Sequence, residues 1–179
     1  ALAGVAVCTA VERVCGMRPG VKWPNDPVLD GRKLCGILTE MTLEAESGRL
    51  RSLVVGIGVN VAQTAEDFSP EVREVAISLA QALGWPVSRP VLAAAIIEEL
   101  DRLYAALLSG DTGAYLTAYR RDCVNLGRPV QLLLPGGTRE TAQALDVDEQ
   151  FGLVVRTAGG DVRTIRSGEV SVRGMYGYV

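Results

Sequence analysis

Asp30-Gly31, set between the apolar pair Val28-Leu29 and the run Leu34 to Met41, constrains the path of this chain more than any other two residues in it. A two-residue turn with positive φ at both positions favours Asp-Gly and joins antiparallel strands of matching twist. Upstream, Val21-Lys22-Trp23 is a short strand that Pro24 stops, because proline cannot donate to a ladder. Downstream, Glu46-Ser47-Gly48 makes a second turn into the apolar run Leu50 to Val61. The pattern predicts an antiparallel meander with its last strand buried almost throughout.

A helix is expected before the meander. From Leu2 to Val14 apolar residues recur at helical spacing, and Gly16 stands where a left-handed residue commonly ends a helix. After a polar loop from Gln63 to Pro70, helical periodicity returns over Val75 to Leu83 and over Pro90 to Leu108, with Ser88 as N-cap and Gly110 as stop. A third short helix is expected over Thr112 to Arg121. The stripe Leu92, Ile96, Leu100, Leu103 and Leu107 reads as a core face. Glu71, Arg73 and Glu74, and again Glu98, Glu99, Asp101 and Arg102, read as solvated faces. From Val124 onward five short strands are expected: Val130 to Leu134, Thr141 to Leu145, Leu153 to Thr157, Val162 to Ile165 and Val170 to Val172. Pro135-Gly136-Gly137, Asp148-Glu149-Gln150 and Gly159-Gly160 separate them, a spacing that suits a small barrel. The expected boundary near residues 122–126 divides an α+β chain into segments 1–122 and 123–179.

Composition narrows the chemistry. In 179 residues, 48% are hydrophobic and 22% charged, the balance of an ordinary globular protein, and the apolar runs are too short to span a bilayer. A net charge of −3 argues against a general nucleic-acid binder. With no histidine, catalysis must rest on lysine, carboxylates, backbone dipoles or an oxygen-held metal. The four cysteines, at 8, 15, 35 and 123, have no C-x-x-C spacing and read as small buried hydrophobes in a reducing compartment. The opening Ala1-Leu2-Ala3-Gly4-Val5-Ala6-Val7 lacks the charged start of a signal peptide and reads as the middle of a helix, with further sequence expected upstream.

Polar chemistry concentrates in one stretch. Asn25 and Asp26 follow a proline-ended strand, where they either form a local Asx turn or offer oxygen to Mg²⁺ beside a nucleotide phosphate. Lys33 precedes Gly36 by three residues, so its ammonium either reaches over a ligand lying on bare backbone or sits solvated on a strand edge. Gly56-Ile57-Gly58-Val59-Asn60 alternates glycine with β-branched residues, which suits either the flat floor of a pocket or close sheet packing. It lacks the third glycine and the helix of a dinucleotide fingerprint. Trp23 and Trp85 are expected to pack in the core or at its rim.

Taken in order, Lys22-Trp23-Pro24-Asn25-Asp26, then Lys33-Leu34-Cys35-Gly36-Ile37-Leu38, then Gly56-Ile57-Gly58-Val59-Asn60 resemble the catalytic core of the biotin protein ligases. Cys123 to Val130 and Gly168 to Arg173 resemble that family's small C-terminal domain. The resemblance implies a class II aminoacyl-tRNA synthetase-like domain, a mixed sheet with helices, followed by an SH3-like barrel. It implies an ATP-dependent reaction through biotinyl-5′-AMP to a lysine of a biotin carboxyl carrier domain, with Mg²⁺. By position, Lys33 matches the contact to the biotin carboxylate and α-phosphate. Gly36, Ile37, Gly56 and Gly58 match the biotin pocket, and Lys22, Asn25, Asp26 and Asn60 match nucleotide contacts, with Asp26 toward Mg²⁺.

A cytoplasmic enzyme, a homodimer and no membrane association are further expectations. Nucleic acid would be a partner only through an upstream helix-turn-helix. Pro27 stands where the family usually has an aliphatic residue, and Cys35 where it has Ala or Gly. The family's GRGRxGR loop is expected upstream of residue 1. Two alternatives stay open: a lipoate-type ligase, and a non-catalytic or biotin-responsive regulatory fragment.

Overall fold

The computed structural model describes residues 1–134, 136–166 and 171–174. Helix α1 (Leu2–Cys15) ends on Gly16, whose φ of 70° lets its N–H return to the Glu12 carbonyl. The helix is apolar on most of its surface and is buried accordingly, with Gly4 against Val21. Strands β1 (Gly20–Lys22), β2 (Asp26–Leu29) and β3 (Arg32–Lys33) form an antiparallel sheet over it. Asp30 and Gly31 turn with φ of 49° and 72°, the two positive angles the pair was expected to supply.

The meander is broken at Leu34. This side chain is fully buried, its N–H donates to the Pro27 carbonyl, and its own carbonyl accepts from the Asn60 N–H. Strands β4 (Cys35–Leu43) and β5 (Leu50–Val59) then pair with each other as a separate two-stranded ribbon. The expectation that the last strand is buried almost throughout is wrong. Residues 50–56 are exposed, and Leu38, Met41 and Leu53 stand more than half in solvent. An apolar run states which surface is available for burial, whereas burial also requires a covering element. Only the base of the ribbon is covered: Cys35 is buried, and Ile37, Ile57 and Val59 pack against the core.

The helix expected over Val75 to Leu83 is also shortened. Residues 75–77 are not helical and strap the backbone of Lys33 through a bridge at Ala76: the Lys33 N–H donates to the Val75 carbonyl at 2.7 Å while its carbonyl accepts from the Ile77 N–H at 3.0 Å. Ser78 starts helix α3 (Leu79–Leu83) with a capping box, accepting from the Gln81 N–H while its own N–H donates to the Gln81 side chain. That box fixes the helix start later than periodicity suggests. A 3-10 turn (Ala65–Asp67) and the single-turn α2 (Pro70–Arg73) occupy the polar loop. Trp85, expected to pack, is 56% exposed on the turn after the left-handed Gly84.

Helix α4 (Arg89–Leu108) crosses α1, and α5 (Gly113–Asp122) follows. Leu92, Ile96 and Leu103 are buried as expected, but Leu107 is exposed. Glu99, expected on a solvated face, is buried instead, because Arg13 of α1 and Arg102 one turn on both pair with its carboxylate.

Strands β6 (Pro129–Leu133), β7 (Arg139–Val147), β8 (Leu153–Thr157), β9 (Val162–Ile165) and β10 (Ser171–Gly174) make an antiparallel sheet in the order β10-β6-β7-β8-β9. Val130, Leu132, Ala142, Ala144, Leu153 and Val155 fill its inner face, alternating with more exposed residues as a half-buried strand requires. Pro135, Gly168, Glu169 and Val170 of the sequence reading lie outside the described residues. One hydrophobic cluster runs from Val5, Trp23 and Tyr119 into Val130, Leu132 and Leu153. A second gathers Val7, Val11, Leu29, Leu34, Ile77 and Leu92 beneath the ribbon base. Among the described residues no helix is long and apolar enough to cross a membrane.

Candidate active site

The register of the ribbon separates two faces. Gly36 lies opposite Gly58, and Leu38 opposite Gly56, so these four share one side. Cys35, Ile37, Ile57 and Val59 share the other, which packs on the core. The glycine side is open: a Cβ built on Gly58 would meet only the Gly36 carbonyl oxygen at 3.8 Å, and one on Gly56 only the Leu38 carbonyl oxygen at 3.7 Å. Ile37, expected beside the glycines in the pocket, therefore directs its side chain to the opposite face.

Lys33 reaches over this floor. Its Cε and Nζ lie 3.5 and 3.8 Å from where a Gly36 Cβ would stand, van der Waals distances that place the end of the side chain over the Gly36 backbone. The Lys33 Nζ is 2.8 Å from Asp26 Oδ1, with the lysine side chain 36% exposed. The strap at residues 75–77 and the Asn60 amide, which donates to the Lys33 and Ile77 carbonyls at 3.4 and 3.2 Å, fix the lysine backbone. A half-exposed cation held at both backbone and carboxylate is suited to meeting an anion at a defined point.

Asn25 lies in the turn between β1 and β2, and its Nδ2 donates to the Ile37 carbonyl at 2.8 Å, fastening the loop to the ribbon. Lys22 is largely buried opposite Asp26 in the β1–β2 register. Burial, with the Asp26 carboxylate near it, pushes the Cys35 thiol up to about 12, so it stays protonated at neutral pH and packs as an apolar group. Among the described residues no cluster of three His, Cys, Asp or Glu side chains could hold a metal.

Beside Asn25 lies a cavity of about 470 Å³ that the sequence reading did not foresee. Pro24, Asn25, Ile37 and Leu38 wall it on one side, while Phe151 and Arg166 close it from the small sheet. These last two residues are separated from Asn25 by well over a hundred positions, and their nearest sequence signal is the Asp148-Glu149-Gln150 turn before Phe151.

Lys33, Asp26, Gly36 and Gly58 are thus brought together, with Gly56 along the same floor and Asn25 at its edge. Asn60 lies beneath Lys33, as support for its backbone.

Comparison with known proteins finds relatives of both sequence and fold. Residues 126–173 match the family described as Biotin protein ligase C terminal domain. The chain is 32% identical over 171 residues to the Bifunctional ligase/repressor BirA of Bacillus spizizenii, covering 96% of this chain and 51% of that protein. It is 31% identical over 173 residues to the Biotin--[acetyl-CoA-carboxylase] ligase of Mycobacterium tuberculosis, covering 94% of this chain and 59% of that one. The chain therefore spans little more than half the length of these relatives. Among solved structures, the biotin protein ligase from Aquifex aeolicus in complex with biotin and ATP superposes with a TM-score of 0.82 at 25% identity, covering 97% of this chain and 69% of that chain. In sequence and in fold, the chain is similar to the biotin protein ligases.

Proposed function

We propose that this chain carries the adenylate-forming and biotin-binding face of an ATP-dependent biotin protein ligase. The observation that supports it is the Lys33 ammonium lying over the Gly36 backbone beside the open Gly56–Gly58 floor. In this reading residues 1–122 belong to a class II synthetase-like catalytic domain and residues 123–179 to an SH3-like barrel. Biotin lies on the floor formed by Gly36, Gly56 and Gly58, with the backbone of Ile37 at its edge. An oxygen of the biotin carboxylate attacks the α-phosphorus of ATP and pyrophosphate leaves. The carrier lysine amine then attacks the acyl carbon of biotinyl-5′-AMP and AMP leaves.

Lys33 serves both steps by offsetting negative charge shared between carboxylate and α-phosphate, and its fixed backbone means that little reorganisation is needed. Asp26 orients that ammonium. Lys22, Asn25 and Asn60 flank the nucleotide, Asn60 through the Lys33 backbone it supports. A Mg²⁺ ion held chiefly by phosphate oxygens needs only one or two protein carboxylates, and Asp26 fits that donor set, supplying charge neutralisation to the phosphates when the ion is bound. The partner is the carrier domain of a carboxylase, the setting is the cytoplasm, and the enzyme works as a homodimer.

The test uses the full-length protein with ATP, a carrier domain, and either biotin or lipoate. Pyrophosphate release and carrier mass gain with biotin alone are expected. Release with lipoate alone, or with neither acid, overturns the assignment.

A further inference from the structure

Asn25 and Asp26 follow a segment that is gripped from the far end of the sequence. The Trp23 backbone N–H donates to Asn125 Oδ1 at 2.7 Å, its indole Nε1–H donates to the Phe151 carbonyl at 2.8 Å, and the Pro24 carbonyl accepts from the Tyr119 hydroxyl at 2.9 Å. Asn125 is 2% exposed, and the reaction proposed above makes no use of it. A buried amide of this kind is retained where its hydrogen bond fixes something, since stranding it costs more than the bond returns.

Phe151 adds a second constraint. Its φ is 62°, a conformation that a bulky residue holds only when its surroundings over-determine it. Those surroundings are specific. The ring stacks on Tyr115 at 5.5 Å and meets Tyr119 edge-on at 5.3 Å. The Gln150 and Gly152 N–H groups donate to Asp148 Oδ1 at 2.9 and 2.8 Å. Gly152 has no room for a side chain, because a Cβ would fall 2.4 Å from Thr164 Cγ2. The left-handed turn lets Phe151 seat its ring between the two tyrosines, aim its carbonyl at Trp23, and line the cavity beside Asn25.

We propose that Asn125 and Phe151 are positioning residues for the nucleotide: from the turns before β6 and β8 they hold Trp23, while Tyr119, against which the Phe151 ring packs, holds Pro24, and through this segment they set where Asn25 meets the base or ribose of ATP. This rests on the ligase reading above. Neither residue touches the reacting atoms. None of Gly36, Gly56 and Gly58 lines the cavity that Phe151 closes, so loss of either positioning residue is expected to weigh on ATP rather than on biotin.

The experiment measures steady-state constants in the full-length protein carrying Asn125→Ala, Asn125→Asp, Phe151→Ala or Leu132→Ala. The last truncates the fully buried core of β6 and reports what general loosening of the small sheet does. Asn125→Ala and Phe151→Ala are expected to raise the KM for ATP about tenfold, equivalent to about 1.4 kcal/mol, with the KM for biotin within about twofold. Asn125→Asp keeps an acceptor for the Trp23 N–H and is expected to restore the KM for ATP to within about threefold of the parent. Leu132→Ala is expected to lower the thermal midpoint while leaving both constants unchanged. An unchanged KM for ATP in the two alanine variants, an equal rise in Leu132→Ala, or failure of Asn125→Asp to recover overturns the proposal. If the parent releases no pyrophosphate from ATP and biotin, it is the ligase reading that fails. The positioning claim is then read from ATP affinity by calorimetry, where parent-like affinity in both alanine variants, or no ATP binding by the parent, overturns it.

Discussion

Replacing Gly58 by valine separates the fold of this protein from its proposed chemistry. The added Cβ meets only the Gly36 carbonyl oxygen, at 3.8 Å, an ordinary van der Waals distance, and the face it enters is open. No core side chain has to move, because Ile57 and Val59 occupy the other side of the strand. Glycine inside a strand is worse than alanine by about 0.5–1 kcal/mol, and β-branched residues are favoured there, so the variant should be as stable as the parent or more stable by about 1 kcal/mol. Thermal unfolding followed by circular dichroism checks this. The same three carbons fill the floor on which biotin is proposed to lie. Forcing a bound ring system off a flat surface should cost about 2.7 kcal/mol or more, a hundredfold in affinity. Calorimetric titration of biotin into the full-length protein measures that loss. Parent-like biotin affinity refutes the floor, and a thermal midpoint several degrees lower refutes the claim that this face is open.

Lys33→Ala should lower adenylate formation about a hundredfold, the scale for one preorganised charge-stabilising group, while the thermal midpoint stays near that of the parent; unaltered pyrophosphate release would end its assignment. Asp122 is buried between Arg18 and Arg121, with Arg18 at 2.6 Å, and Asp122→Ala should cost about 3 kcal/mol, the low end for a broken buried pair because Arg18 keeps Glu12 and Arg121 reaches solvent. Denaturant titration gives the number. Burial alone would raise the Asp122 carboxyl, but hydrogen bonds from Arg18 and Arg121 outweigh it and leave the group below its ordinary 3.8. Its contribution is therefore complete above that value and is lost as pH falls through the lower folded value, so Asp122→Asn should flatten the acid limb of the stability profile below about pH 4. Gly152→Ala drives a methyl into Thr164 and Asp148 and should cost about 1–3 kcal/mol by overpacking, read from the shift in thermal midpoint.

Local chemistry was legible in the sequence wherever one or two residues decide the backbone. Asp30-Gly31, Gly16 and the strands from β6 to β9 stand close to their expected positions, because turn residues and period-two alternation act over a few positions. Lys33 over Gly36 was equally readable, since both lie on one short path. Covering partners were not readable. The apolar run in β5 looks the same whether or not another element lies on it, and the non-helical strap at residues 75–77 is set by Ser78 and Gln81 capping the helix after it. Glu99 turned inward because of Arg13, a residue of a different helix. Phe151 and Arg166 reach the cavity only through the docking of the small sheet, for which no spacing in the chain provides a signal.

The alternation in β5 has a consequence for any library built on residues 56–59. Positions 56 and 58 should tolerate bulk in a selection for expression and reject it in a selection for catalysis, whereas positions 57 and 59 should fail both. Deleting one residue within the strand would exchange the two sets at a stroke, turning isoleucine outward and leaving glycine to fill a hydrophobic interior. Catalytic competence and folding are thereby locked to the same pairing offset, and a frame of two is the smallest step by which this ribbon can drift without losing both.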